Sequence, residues 1–182
     1  YRIPTPATSR DPEIDQLIAN NVGRLVVDAA DSRHRVRAAA TLQIGVGYLP
    51  SLVLDGVSDK IDGIWSEVLT DAMANIRARM IPIVGTFALG TEVLWKFIDG
   101  NPNVSMLPAH VTNSAEEIRR RQIISVNQAM AVTLHGETVV GVGRRYSGAG
   151  GQRDFSANAP TAIIALHSTR TAEDGTLVSN IL

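Results

Sequence analysis

A chain of 182 residues, 45% of them hydrophobic and 19% charged, is long enough for one domain with a sizeable core. A net charge of −1, with only the short basic run Arg119–Arg121, argues against a dedicated nucleic-acid binder, and the absence of cysteine removes disulfides, thiolate zinc and a cysteine nucleophile. No apolar run approaches the ~20 residues of a bilayer span, and "YRIPTPATSRDPEID" has no signal-peptide core, so a cytoplasmic protein without a membrane partner is expected.

In chain order, residues 1–12 contain Pro4, Pro6 and Pro12 and read as an extended linker or lead-in, with 13–182 as one domain. "PEIDQLIANNVGRLVV" places Ile14, Leu17, Ile18, Val22, Leu25 and Val26 at helical spacing, and "DSRHRVRAAA" is a polar, basic bridge. "TLQIGVG" is a short strand ending in glycines, and "YLPSLVLDGV" a helix with proline in its first turn. "GIWSEVL" is a short apolar segment, and "TDAMANIRARM" a helix with Thr70 as N-cap. "IPIVGTFAL" is a strand, "GTEVLWKFIDG" a helix closed by Gly100, "VSMLPAHV" a strand and "NSAEEIRRR" a short helix. "IISVNQAMAVTL" reads as one long strand with "GETVVGVG" as its hairpin partner, followed by a buried strand in "APTAIIALHST" and a turn and final strand in "AEDGTLVSNIL". The alternation predicts an α/β fold: a mainly parallel sheet, helices on both faces, and an antiparallel part in the last third. The apolar ending "LVSNIL" suggests a domain truncated at its C-terminus.

The stretch "GVGRRYSGAGGQRDF" raises the question of chemistry. A dinucleotide fingerprint needs G-x-G-x-x-G between a strand and a helix, and here Tyr146 stands where the third glycine belongs. Pro50 occupies that place in "GVGYLP", so no nucleotide cofactor is expected. The glycines serve either as turn residues or as a bare backbone whose N–H groups form an oxyanion hole or anion nest. Glu67 in "IWSEVL" is either a solvated edge residue or a half-desolvated carboxylate acting as general base or nucleophile at a strand end. Asp71 suits a helix N-terminus better than the role of acid partner. His34, His110, His135 and His167 show no i, i+3 or i, i+4 pairing, so no metal is expected. The chain also contains neither a G-x-S-x-G elbow nor a P-loop.

Together, "LQIGVGYLPSLVL", "IWSEVLTDAM", "GTFALGTEVLWKFIDGNPNV", "NSAEEIRRRQIISVNQAMAVTLHGETV" and "GAGGQRDF", in that order, resemble the acetyl-CoA hydrolase/transferase family, which includes 4-hydroxybutyrate and succinyl-CoA:acetate CoA-transferases. The resemblance is to the C-terminal of that family's two α/β domains. It implies coenzyme A as a substrate, acyl-CoA and small carboxylates as partners, an absent N-terminal domain, and a homo-oligomer. The segment "WSEVLTD" matches the family's glutamate motif and places the nucleophile at Glu67, reacting through acyl-glutamyl anhydride and glutamyl-CoA thioester intermediates. Gly150 and Gly151, within a Gly148–Gly151 turn, and the backbone of Val46 match its oxyanion and CoA site, and Asn113 matches an asparagine near the glutamate. Transferase and hydrolase chemistry both fit. The second reading is a non-catalytic CoA-binding or assembly domain of the same fold, suggested by Trp65 and by "SANA" after the glycine turn.

Overall fold

The structure is a computed structural model that describes residues 11–33, 40–76, 80–139, 141–142, 145–146, 150–172 and 174–182. Nearly all of the expected lead-in, residues 1–10, lies outside these, as do residues 34–39 of the basic bridge.

The first helix, α1 (Pro12–Arg33), runs through the start of that bridge before β1 (Ala40–Ile44), α2 (Tyr48–Val57) and β2 (Ile61–Trp65). The chain then breaks at Ser66–Glu67 and resumes as β3 (Val68–Leu69) and a single turn, α3 (Asp71–Ala74). The segment read as one strand from Ile81 is two, β4 (Ile83–Gly85) and β5 (Phe87–Ala88), followed by α4 (Glu92–Ile98). The strand expected over "VSMLPAHV" is only β6 (Val104–Met106); Pro108 then N-caps the short helix α5 (Ala109–Thr112), and α6 (Ala115–Arg120) follows. The long strand expected after it is also divided, into β7 (Ile124–Gln128) and β8 (Ala131–Val132). Next come β9 (Thr138–Val139), β10 (Gly141–Val142), β11 (Arg145–Tyr146), α7 (Gln152–Asn158), β12 (Thr161–Ala165), β13 (Thr169–Thr171) and β14 (Leu177–Ser179).

The core is a six-stranded sheet in the order β12-β7-β1-β2-β4-β6, every neighbouring pair parallel. Small antiparallel pairs, β8–β9, β10–β11 and β13–β14, occupy the last third. The expected hairpin around Gly136 is β8–β9, with Gly136 at φ 82°.

Side-chain alternation explains why helices cover both faces. Leu42 and Ile44 of β1, Ile64 of β2, and Ile124 and Val126 of β7 pack with α1 and α2, while Trp65 points the other way to meet Ile118 of α6 and Phe155 of α7. In α1 the buried stripe is Ala19, Val22, Val26 and Ala30; Ile14, Leu17 and Leu25, expected in that stripe, lie on its outer side. Small alanines suit the inner side because α1 must also pack closely on α2. Pro50 sits in the first turn of α2, where a missing N–H costs nothing. Each fully buried leucine or isoleucine of this layer contributes about 1.5–3 kcal/mol of apolar burial.

Parallel pairing brings every strand's C-terminal end to one edge of the sheet. Successive connections lead from β1 through α2 to β2 and from β7 through α7 to β12, departing in opposite directions along the sheet and over opposite faces. Helices that part in this way leave a crevice at the carboxyl ends of β1 and β7.

Candidate active site

The loops at that edge assemble the site. After β1 the chain turns through Gly45, Val46 and Gly47 against β7: a Cβ on Gly47 would meet Gln128 Oε1 at 2.6 Å, and one on Gly45 would collide with Asn127 Oδ1. Val46, at the tip, is 53% exposed. Beside it, the buried Ser66 donates from Oγ to the Ile44 carbonyl at 2.9 Å, locking the end of β2 to the end of β1.

Glu67 is the next residue. Its carbonyl accepts from both Thr86 N (2.8 Å) and Phe87 N (3.0 Å), a two-to-one pairing that interrupts the strand before β3 and β5 resume it. The half-buried Glu67 side chain has no hydrogen-bond donor among the described residues. It reaches across to the start of α7, where Oε2 fills the space that a Cβ of Gly151 would need. The same point lies 3.0 Å from Asn113 Nδ2 at the end of α5 and 2.9 Å from Glu67 Cδ, and a Cβ on Gly150 would be 3.9 Å from Glu67 Oε2. Gly150 has φ 48°, a left-handed conformation in which glycine carries no steric cost.

Glu67, Asn113, Gly150 and Gly151 are therefore in one place despite lying as much as 84 residues apart along the chain. Val46 stands at the same edge, two residues beyond the end of β1. Gly148 and Ala149, the rest of the expected turn, lie outside the described residues. Among the described residues the N–H groups of Val46, Gly150 and Gly151 have no acceptor.

Further residues surround this cluster. Asn113 Nδ2 donates to Asp154 Oδ2 at 3.1 Å, and Thr112 Oγ1 donates to Asn113 Oδ1 at 2.9 Å. Thr112 Oγ1 is also 2.6 Å from Thr86 Oγ1. Trp65 is buried and structural: its Nε1 donates to the Thr112 carbonyl at 2.8 Å, and the Arg121 guanidinium carbon stands 3.6 Å from the ring centroid. Arg121 in turn pairs with Glu117 at 3.1 Å. The hydrogen bond from Arg120 holds the Glu117 carboxyl below the usual carboxylate range, aided by the charges of Arg120 and Arg121. On the same face of the sheet, the buried Gln43, Ser125 and Asn127 form a closed set: Ser125 Oγ and Asn127 Nδ2 both donate to Gln43 Oε1, at 2.7 and 2.9 Å.

Sequence reasoning missed α7, whose apolar residues are few, and with it Asp154. The alternation in "ISVNQ", apolar then polar, was the available signal for the buried polar face of β7. Asp71 accepts from Thr91 N at 2.9 Å and from Thr91 Oγ1, and so fixes the N-cap of α4; it does not enter the site. Thr70 takes the N-cap position of α3 but makes no capping bond, and its hydroxyl has no partner among the described residues. His110 and His135 are exposed, His167 pairs with Asp15 at 2.5 Å, and His34 lies outside the described residues.

A cavity of about 440 Å³ is lined by Ile83, Phe97, Asn101 and Asn103. It opens at the N-terminal ends of β4 and β6, the edge opposite Glu67, and the residues lining it include no ionisable group. The chemistry therefore points to the Glu67 edge. No group of three or more potential metal ligands occurs among the described residues, and no helix there is long and apolar enough to cross a membrane.

Residues 90–182 match the family described as acetyl-CoA hydrolase/transferase C-terminal domain. The 4-hydroxybutyrate coenzyme A transferase of Clostridium kluyveri is 31% identical over 178 residues, an alignment that covers 86% of this chain and 39% of that protein. An acetyl-CoA hydrolase of Candida albicans is 28% identical over 145 residues, covering 72% and 28% of the two chains. Among solved structures, RipA from Yersinia pestis superposes with a TM-score of 0.73 at 28% identity over 98% of this chain and 42% of its own. The chain thus spans about two fifths of the length of the Clostridium kluyveri transferase and of RipA, and less of the Candida albicans hydrolase.

Proposed function

The chain belongs to the acetyl-CoA hydrolase/transferase family, in its C-terminal domain, and from that premise we propose that it carries the nucleophile of an acyl-CoA:carboxylate CoA-transferase or acyl-CoA hydrolase. The observation that carries this reading is the Glu67 carboxylate, without a hydrogen-bond donor among the described residues, pressed against the bare backbone of Gly151.

Such a carboxylate attacks the thioester carbonyl of an acyl-CoA. The C–S bond breaks, CoA leaves as thiolate, and an acyl-glutamyl anhydride remains. The thiolate returns to the glutamyl carbonyl, giving a Glu67-CoA thioester and releasing the first carboxylate. A second carboxylate then attacks that thioester and reverses the sequence; in a hydrolase, water takes its place. Each addition places negative charge on a carbonyl oxygen, which needs fixed donors about 3 Å away. We assign that task to the N–H groups of Gly150 and Gly151, which have no acceptor among the described residues, and to Asn113, and contact with CoA to the Val46 loop at the crevice mouth. Glycine at 151 is required because a side chain there and the Glu67 carboxylate exclude each other.

The partners of this reading are acyl-CoA and small carboxylic acids. A second domain, from the greater length of the relatives, closes the crevice, in a cytoplasmic homo-oligomer. The alternative of a non-catalytic CoA-binding domain rests on Trp65 and on "SANA" after the glycine turn; Trp65 is buried as a structural anchor, which leaves "SANA" as its ground. The test uses the native full-length protein with acetyl-CoA and a panel of carboxylates. Transfer or hydrolysis is expected in the wild type, with loss of several orders of magnitude in Glu67→Gln and about 10²-fold in Glu67→Asp, whose carboxylate is withdrawn by more than 1 Å. Near-normal turnover by Glu67→Gln removes Glu67 as nucleophile. A wild type inert across the panel yet still binding CoA supports the non-catalytic domain.

A further inference from the structure

We propose that Asp154 is a positioning residue: it fixes which way the Asn113 carboxamide faces, and so keeps an N–H directed at the reacting carbons carried by Glu67. The proposal rests on the nucleophile reading above.

The argument is one of hydrogen-bond polarity. An ionised carboxylate only accepts, so the group that Asn113 turns toward Asp154 Oδ2 at 3.1 Å must be its NH2. The carboxamide oxygen then faces Thr112 Oγ1 at 2.9 Å and must accept from that hydroxyl. The single Thr112 proton being committed, the 2.6 Å contact with Thr86 must carry the Thr86 proton toward Thr112. One charge at the start of α7 thereby orders every proton from the end of β4, through α5, to Asn113. A flipped carboxamide would set its oxygen against the Asp154 carboxylate, whereas Thr112 could adapt by accepting from the NH2 and turning its own proton to Thr86 or the Ala109 carbonyl, so Asp154 is the group that decides the orientation.

The ordering matters because an NH2 has two protons. One is engaged by Asp154. The other has no acceptor among the described residues, and Nδ2 stands 3.0 Å from the point beside Gly151 that the Glu67 carboxylate also occupies. When Glu67 becomes an anhydride or thioester, this N–H is placed to donate to oxygen developing charge there. With the carboxamide flipped, the same place would hold a carbonyl oxygen and repel that charge. The contact of Asp154 with this cluster is its hydrogen bond to Asn113 Nδ2 at 3.1 Å, and its effect on chemistry is assigned to that link.

The test is a double-mutant cycle in the native full-length protein, with acetyl-CoA as donor and a small carboxylate as acceptor: Asp154→Ala, Asn113→Ala and the double variant. Asp154→Ala is expected to lower kcat by roughly 10–100-fold, the scale of a misplaced group, while KM for acyl-CoA stays within about twofold, as for an interaction made mainly in the transition state. The double variant is expected to be no slower than Asn113→Ala, because Asp154 has nothing left to orient. Asp154→Asn retains an accepting oxygen and nearly the same shape. It should keep more activity than the alanine variant, and it carries the test if the alanine variant does not fold. Independent, multiplicative losses in the cycle, or unchanged kcat in Asp154→Ala, overturn the proposal while leaving Glu67 as nucleophile. Failure of the wild type to form any Glu67-linked CoA sinks the nucleophile reading, and the proposal with it.

Discussion

The two faces of the central sheet are built differently. Beneath α1 and α2 the buried surface is a continuous apolar layer from Ala19 to Ala165. Beneath α6 and α7 the buried apolar set is small, Trp65, Ile118, Ile123 and Phe155, and shares its face with the hydrogen-bonded Gln43, Ser125 and Asn127. A polar group taken from water must be matched by partners, so the second face contributes less to stability for the area it covers. In exchange it supplies directed groups next to the crevice. One face holds the domain together, and the other holds side chains and glycine backbone in the register that the role proposed for Glu67 would require.

Substitutions on each side sharpen that contrast. Leu42 is fully buried in the apolar layer, and Leu42→Ala is expected to cost about 2–5 kcal/mol of stability while leaving kcat of the folded fraction unchanged. Chemical denaturation and specific activity below the melting transition check both halves. A large loss of kcat per folded molecule would show that the apolar face also sets the geometry of the site. Gly151→Ala is the reverse case. Its new methyl group displaces the end of a flexible glutamate and presses on the Asn113 carboxamide, 3.0 Å away, both side-chain ends rather than backbone, so the melting temperature should move little. The carboxylate is driven from its place, however, and turnover should fall about 10²-fold. A variant that turns over normally would mean that the Glu67–Gly151 contact plays no part in the reaction.

Alternation of strands and helices made the parallel sheet legible, because each strand of a buried parallel sheet reads as an apolar run punctuated by glycine. The breaks within strands were not legible. Nothing local marks Ser66–Glu67, where the interruption comes from the Glu67 carbonyl accepting two N–H groups of a segment nineteen to twenty residues away. Ala129–Met130 hides inside a hydrophobic run in the same way, since its apolar residues continue while the partner strand changes from β1 and β12 to β9. At the site, glutamate and glycine stood out as residue types unusual in those surroundings, but residue type left each with two readings, and only the family resemblance assigned them to a site. Asp154 and the two threonines did not stand out, as their significance lies in hydrogen-bond polarity, which depends on which long-range partners face each other. The helix carrying Asp154 was missed because only Phe155 is fully buried on it and two turns of "QRDFSAN" show no apolar period.

The central claim is that Glu67 is covalently acylated and then carries CoA. The direct measurement is peptide mass spectrometry of the native full-length protein after incubation with acyl-CoA followed by borohydride, which reduces a thioester but not a free carboxylate. The account expects the peptide containing Glu67 to lose its carboxyl by reduction to the alcohol, activity to disappear in step, and neither change to occur without acyl-CoA. An active enzyme inactivated at another residue, or with an unmodified Glu67 peptide under the same treatment, would contradict it.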